Sequence, residues 1–291
     1  MFQLISFSAT DPIELNDKEF KKFSQLVYDR CGICLTDGKK ELVKARLGKR
    51  IRAGQFKSFH DYYEYIVNDT SGKELINLLD SISTNFTFFF REPKHFEYFK
   101  DVFLPDLMNR KRNPIHKSIR IWSAGCSSGE EPYSLAITLL EAIENPLLWN
   151  ILILATDLST RMLQIAETGI YPMEKVENLP SFTLKKYFLR GTGKMENFVR
   201  VKDNLQSLVH FQRLNLMEPF PFKNPFDCIF CRNVMIYFDR KHQTELINRF
   251  YEYLNPGGLL IVGHSESLTG IPHSFEYIQP SIYRKQCHGK R

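Results

Sequence analysis

From about residue 16 to 110, apolar residues recur at spacings of three and four, the period of helices that each bury one face. Five such stretches stand out: NDKEFKKFSQLVYDR, DGKKELVKARLGKRIRA, SFHDYYEYIVND, KELINLLDSIS and EPKHFEYFKDVFLPDLMNR. The basic segment KRNPIHK, broken by Pro114, then leads into a different pattern. After residue 118 short apolar runs alternate with helical stretches: IRIWSAG, PYSLAITLLEAI, ILILATD, STRMLQIAETG, FDCIFCRNV, KHQTELINRFYEYL, a turn at Asn255-Pro256-Gly257-Gly258, and LLIVGHSES. Alternating strand and helix predicts an α/β fold with a parallel sheet covered on both faces. Residues 171–211 break this rhythm, because KKYFLRGTG and NFVRVKD are short, extended and joined by Gly191 and Gly193. A small antiparallel insertion is expected there. The resulting division is a helical domain over 1–90 and an α/β domain over 91–291 that carries the insertion.

The chain's 291 residues, 43% apolar and 25% charged, suit a packed two-domain globule rather than a disordered chain. No apolar run reaches the roughly 18 residues that span a bilayer. The start, MFQLISFSATDPIEL, has neither a basic n-region nor a small-residue cleavage site, so a cytoplasmic protein without membrane insertion is expected. The formal charge of +6 is localised. Residues 36–57 hold Lys39, Lys40, Lys44, Arg46, Lys49, Arg50, Arg52 and Lys57 against Asp37 and Glu41, which leaves the rest of the chain formally neutral. Charge concentrated in this way points to a docking surface for an acidic partner, although a solvated basic face is the plainer alternative.

Cysteine spacing invites a metal or redox reading, with C-x-x-C pairs at Cys31/Cys34 and Cys228/Cys231. The second pair lies in a strand, where positions three apart face opposite sides, and the first has no nearby His or Cys to complete four ligands. No metal is expected, and all six cysteines are read as reduced thiols.

In an open parallel sheet, ligands sit beyond the carboxyl ends of the strands. Gly125-Cys126-Ser127-Ser128-Gly129 follows the first strand as a tight turn into a helix, yet it is neither G-x-G-x-x-G nor a P-loop. Asp157 ends the second strand, either as a bidentate acceptor for ribose hydroxyls or as the N-cap of the next helix. Arg232 and Asn233 follow a third strand. The Asn could bond an adenine edge or a substrate, or could simply turn the backbone. The linker TNFTFFFREP, with Asn85, Thr87 and Arg91 among phenylalanines, fits no amphipathic period. It reads as a cofactor lid or as an apolar plug between domains.

Taken together, TNFTFFFRE, IWSAGCSSGEEPYSLA, LATDLS, FLRGTG with FVRV, CRNVMIYFD and GHSES, in this order, closely resemble the CheR family of chemotaxis receptor methyltransferases. The resemblance runs from roughly residue 18 to 285, with SAGCSSGEEPYS and CRNVMIYF its most specific parts. One departure is Gly125-Cys126, where many relatives carry small residues such as alanine. The resemblance implies an N-terminal helical domain and a Rossmann-like S-adenosylmethionine-binding domain with an inserted antiparallel β-subdomain. It implies that Asn85, Thr87, Arg91, Glu131, Asp157, Asn215, Leu216, Arg232 and Asn233 hold the cofactor.

The implied reaction moves a methyl group from the cofactor's sulfonium to receptor glutamate carboxylates, leaving S-adenosylhomocysteine. A glutamate with a pKa of about 4.3 is already an anion at neutral pH, so no general base is needed. Arg91 and Tyr237 are the residues expected to orient that carboxylate, one by a planar fork and the other by a single neutral donor. The basic second helix is expected to dock acidic receptor helices through Arg46, Lys49, Arg50 and Arg52, beside an apolar stripe of Val43, Leu47 and Ile51. A monomer that does not bind nucleic acid is expected. The alternatives are a small-molecule O-methyltransferase on the same fold and a non-catalytic, cofactor-binding adaptor.

Overall fold

The structure is a computed structural model that describes residues 14–83, 85–111 and 117–287. The chain forms two compact units, Met1–Ser83 and Thr84–Arg291.

Among the described residues the first unit holds four α-helices: α1 (Asp17–Cys31), α2 (Lys40–Ala53), α3 (Phe59–Asn68) and α4 (Lys73–Ile82). A reciprocal cap starts α1. Asn16 accepts the Glu19 N–H at 2.9 Å, and the Glu19 carboxylate accepts the Asn16 N–H at 3.1 Å, which satisfies two amides the helix cannot pair itself. Gly32, at φ 71°, ends it in the left-handed conformation glycine adopts without strain. Phe23 packs against Phe59, Tyr62 and Tyr63, and the α2 stripe Val43, Leu47 and Ile51 is buried.

One polar cluster penetrates this core. Arg50 clamps Glu74 with two bonds of 2.6 Å, while Tyr62 and Asn77 donate to the same carboxylate at 2.9 and 3.0 Å. Burial pushes the Glu74 carboxyl upward, but the bonds from Arg50, Asn77 and Tyr62 outweigh it and hold the group below its ordinary range.

The second unit opens with one bent helix made of α5 (Pro93–Tyr98), a π-helical turn (Phe99–Phe103) and α6 (Leu104–Arg110). Pro105 lacks the N–H that would bond the carbonyl of Asp101, and the widened turn absorbs that defect. Then follow β1 (Ser118–Ala124), α7 (Glu130–Ala142), β2 (Asn150–Asp157), α8 (Thr160–Thr168), β3 (Ile170–Pro172), α9 (Ser181–Tyr187), β4 (Phe188–Arg190), β5 (Phe198–Val201), α10 (Asp203–Gln206), β6 (Val209–Arg213), β7 (Phe226–Cys231), α11 (Arg240–Glu252), β8 (Leu254–Val262), β9 (Glu276–Gln279) and β10 (Ile282–Arg284).

The main sheet runs β6-β2-β1-β7-β8-β10-β9, parallel from β6 to β8 and antiparallel at β10 and β9. Alternate residues of β7 serve opposite cores. Cys228 and Phe230 join Phe96, Phe99 and Leu135 on one face, while Ile229 and Cys231 join Trp122 and Phe250 on the other. The two cysteines therefore point to opposite sides of the sheet.

Four boundaries differ from expectation. The compact units divide after Ser83 rather than at 90, and residues 85–90 fall with the second unit, where Phe89 is part of the sheet's core. The insertion is an antiparallel sheet ordered β3-β5-β4, but Val209 to Phe211 are not in it. They belong to β6, an edge strand of the main sheet, which has no long crossover helix before it to announce it. The residues KKY, read as extended, close α9. Asn255-Pro256-Gly257-Gly258 lies within β8, where the register slips between Phe226 and Cys228 and Gly257 takes φ 75°.

The Arg50–Glu74 clamp should matter for stability. Glu74→Ala is expected to cost about 2 kcal/mol, because it strands a half-buried guanidinium and the Tyr62 hydroxyl, whereas Lys49→Ala on the exposed side should stay within about 0.5 kcal/mol. Chemical denaturation of both variants checks this, and equal losses would show that the clamp contributes nothing.

Candidate active site

The chain leaves β1 toward β2 on one side, while β7 lies on the other, so the order reverses between β1 and β7. Loops diverge from such a switch point and open a crevice at the carboxyl ends of the strands. Behind β1, the amides of Gly125 and Cys126 both donate to the Thr156 carbonyl, at 2.8 and 2.9 Å. Gly125 has φ 90°, and a Cβ there would lie 2.4 Å from a methyl of Val234, so no larger residue fits between the two turns.

Asp157, at the end of β2, holds this turn. One oxygen accepts the Ser127 N–H at 2.7 Å and the other accepts the Ser159 N–H at 2.8 Å. The N-cap role belongs to Ser159, whose hydroxyl accepts the Met162 N–H. Asp157 is thus a partly exposed carboxylate between two loops rather than a helix cap. Its carbonyl accepts the Leu214 N–H at 3.0 Å, which ties Asn215 and Leu216 to the same strand end. The buried Asn215 accepts the Met217 N–H at 3.0 Å and donates to Glu218 at 3.1 Å, and Leu216 is buried beside it.

Arg232 is the hub. Its guanidinium donates to Glu131 at 3.0 Å, to Glu92 at 3.1 Å and to the Arg91 carbonyl, and lies 5.5 Å from the Phe96 ring centre. Glu131 also accepts the Ser123 hydroxyl at 2.7 Å. Burial pushes the Glu131 carboxyl up despite that cation; burial pushes the Glu92 carboxyl up too, but the charge and hydrogen bond of Arg232 together with the backbone N–H of His264 outweigh it and hold the group below its ordinary range. Through these bonds the phenylalanine-rich linker is fastened to the ends of β1 and β7. Asn85 accepts the Ser127 hydroxyl on its carbonyl at 3.2 Å, and buried Thr87 accepts Lys175 on its carbonyl at 2.9 Å. The linker is thereby bonded at Asn85, Thr87 and Arg91 to side chains of the second unit. Phe86 and Phe88 are exposed, and the Arg91 side chain reaches back to the Phe86 carbonyl at 2.9 Å, over the Phe86 ring.

Asn233 takes φ 60° and starts the turn that carries Tyr237, in a short 3₁₀ segment (Met235–Tyr237). Phe90, Glu92, Ser127 and Asn233 make up four of the six non-glycine residues with positive φ among those described. Such conformations cost of order 1–3 kcal/mol each and persist where surrounding bonds impose them. Three carboxylates of this region escaped the sequence reading: Glu92, Glu130, which accepts Ser128 at 2.7 Å and Lys175 at 3.2 Å, and Glu266, which accepts backbone amides of the Asn233 turn. Each lies inside a quoted motif, but each also has a partner from a distant segment, Arg232 for Glu92, Lys175 for Glu130 and Asn233 for Glu266, and only an acid within an otherwise apolar or glycine-rich stretch could have flagged it.

Two expected docking residues are otherwise engaged. Arg46 donates to the carbonyls of Ile82 and Ser83, and Arg50 to Glu74, so both point into their own unit. Lys49 and Arg52 are exposed, as is Lys57. The periodicity that placed Arg46 and Arg50 on one face was right, but that face looks inward.

Among the described residues, Glu92, His95 and His264 could bring metal-ligating atoms within 4.8 Å of one another. The Glu92 oxygen nearest His95 already accepts Arg232 at 3.1 Å and the His264 N–H at 3.3 Å, and the guanidinium would repel a cation there.

Residues 85–284 match the family model described as "CheR methyltransferase, SAM binding domain", and residues 18–83 match "CheR methyltransferase, all-alpha domain". A chemotaxis protein methyltransferase of Borreliella burgdorferi is 43% identical over 275 residues, covering 94% of this chain and 96% of the relative. The chemotaxis protein methyltransferase of Escherichia coli is 39% identical over 276 residues, covering 94% and 93%. No helix among the described residues is long and apolar enough to cross a membrane.

His95 supplies a pH dependence. It is 2% exposed, its ring nitrogens make no hydrogen bond, and burial followed by repulsion from Arg232 pushes its pKa down to about 4. An unfolded histidine titrates near 6.5, so between about pH 6.5 and 4 the unfolded chain takes up a proton that the folded one refuses. Stability should be full above about pH 6.5 and fall by up to roughly 3 kcal/mol toward pH 4 from this group. Urea midpoints of the wild type and His95→Asn between pH 7.5 and 5 check this, and an equally steep decline in the variant would assign the loss to other groups.

Proposed function

Because the chain belongs to the CheR methyltransferase family, whose S-adenosylmethionine-dependent methylation serves chemotaxis, we propose that it esterifies glutamate side chains on the cytoplasmic helices of chemotaxis receptors. The observation that carries the reading is the Arg232 cage, which fastens the linker bearing Asn85, Thr87 and Arg91 over the switch point of a cofactor-binding sheet.

The residues fit the cofactor chemically. Asp157, a partly exposed carboxylate at a strand end, suits the two hydroxyls of a ribose. The charged set Arg91, Glu131 and Arg232 suits the paired charges of an amino-acid moiety, and Asn215, Leu216 and Asn233 offer amide and apolar surface to a base. When bound, S-adenosylmethionine supplies a methyl group on a positively charged sulfur.

What this chain's own residues must then do is place an acceptor. A glutamate carboxylate needs no deprotonation at neutral pH, so positioning and exclusion of water carry the rate, and orientation alone can contribute about 7 to 11 kcal/mol. Arg91 offers a planar fork matched to the acceptor carboxylate, and Tyr237 a single neutral hydroxyl. The exposed Phe86 and Phe88 flank Arg91 and shed water once a receptor helix covers them. Arg91 should not bind the anion too tightly, since stabilising the ground state would slow transfer. Docking falls to the exposed basic surface of α2, through Lys49 and Arg52, with Lys57 just beyond its end.

Incubation with methyl-labelled cofactor and receptor cytoplasmic fragments should place label on glutamates as base-labile esters that release methanol. Base-stable label, or label on free small carboxylates with none on the receptor, would overturn the substrate assignment. Charge reversal of Lys49 and Arg52 together should raise the receptor KM at low salt and flatten its salt dependence, because exposed charges are screened over a Debye length of about 8 Å in physiological salt. Affinity for S-adenosylhomocysteine should not change. A wild-type KM in that double variant would return the basic surface to mere solvation.

A further inference from the structure

We infer that Glu266 is a positioning residue: its buried carboxylate is the template around which the Asn233–Tyr237 turn folds, and it sets the orientation of the Tyr237 hydroxyl. The inference rests on the reading above in which Tyr237 orients the acceptor carboxylate.

Glu266 belongs to GHSES, which, like FLRGTG with FVRV, the assigned cofactor, acceptor and docking roles leave without a part. It is 6% exposed. One of its oxygens accepts the N–H of Gly263 and of Asn233, both at 2.7 Å, and the other accepts the N–H of Ile236 at 3.2 Å. Its own amide donates to the Gly263 carbonyl at 2.9 Å, which fixes the loop that delivers it. The first and fourth residues of the run from Asn233 to Tyr237 are thus pinned to one rigid carboxylate, and Ile236 is bonded directly to Tyr237.

The geometry demands an acid rather than a neutral isostere. Three backbone donors converge on two oxygens, and charge-assisted bonds of this kind are about twice as strong as neutral ones. An amide would turn its NH₂ toward one or more N–H groups and leave buried donors facing a donor. Asn233 sits at φ 60°, a left-handed conformation that asparagine adopts more readily than most residues, and the Glu266 bonds hold the turn there. Packing is equally tight. A Cβ at Gly263 would lie 2.7 Å from the Asn233 side-chain Nδ2, 2.8 Å from a Glu266 oxygen and 2.9 Å from the Asn233 backbone nitrogen.

The turn is functional at both ends. Asn233 reaches Glu92 in the Arg232 cage at 3.5 Å, and Tyr237 carries the hydroxyl assigned to the acceptor. A carboxylate that fixed the loop for stability alone would give the same bonds, so the test must read the acceptor step.

The experiment is a double-mutant cycle on single-turnover receptor methylation at saturating cofactor, with circular dichroism and S-adenosylhomocysteine affinity as checks on folding. Glu266→Gln should lower the rate roughly tenfold or more with the receptor KM near wild type, and Tyr237→Phe should do likewise. The double variant should be no more than about threefold slower than the slower single one, because both changes remove the same contact. Multiplicative losses would overturn the inference, as would a wild-type rate in Glu266→Gln with a lowered melting temperature, which would leave a purely stabilising role. A silent Tyr237→Phe would instead sink the assignment of Tyr237 itself and, with it, this inference. If Glu266→Gln does not fold, Glu266→Asp keeps the charge, withdraws it by one carbon and enters the same cycle.

Discussion

A single buried cation organises the catalytic unit. Arg232 has a side chain only 2% exposed, and removing such a charge from water costs several kcal/mol unless partners replace the lost hydration. Here two carboxylates, one carbonyl and an aromatic face replace it, and they come from two separate stretches of chain: the end of the linker running into α5, and the first turn of α7. The guanidinium cannot be satisfied unless those stretches meet at the end of β7. The requirement that a buried charge be paired thus becomes the requirement that the crevice be assembled.

The surrounding acids follow from that centre. Glu131 and Glu92 compete for one cation, and their carboxyls are displaced in opposite directions, up for the first and down for the second. Burial, and after it the charge of the same guanidinium, pushes the pKa of His95 down to about 4. Asp157 and Glu266 hold the two neighbouring turns by accepting backbone amides, which are oriented dipoles and need no counter-ion. Left-handed conformations gather where these acids act: Ser127 and Asn233 donate their backbone N–H to Asp157 and Glu266, and Glu92 carries the carboxylate that accepts the Asn233 side chain.

Such an arrangement suits the proposed reaction, whose nucleophile would already be ionised. If the acceptor is a glutamate, no residue has to remove a proton at neutral pH, and rigid placement rather than a poised base is what the reaction requires. The helical unit makes a separate use of charge. Part of its basic helix serves folding, through Arg46 and Arg50, and part remains exposed, through Lys49 and Arg52.

Periodicity alone determined the helical first unit, the alternating α/β second unit and the antiparallel insertion, because those follow from which residues bury an apolar face locally. Motif order determined the family, and the strand-end rule picked out Asp157, Arg232 and Asn233. Tertiary structure decided what each charge does. Arg46 and Arg50 look like partners of Lys49 until the carbonyls ending α4 and the carboxylate of Glu74 come within reach, and no spacing in sequence reports that. Strand β6 was hidden because an edge strand of five residues lacks the flanking pattern of a buried one. Glu92 and Glu266 could not be singled out, since an acid acquires its role only from the donors that converge on it, and those donors lie 140 to 172 residues away from Glu92 and up to 33 from Glu266.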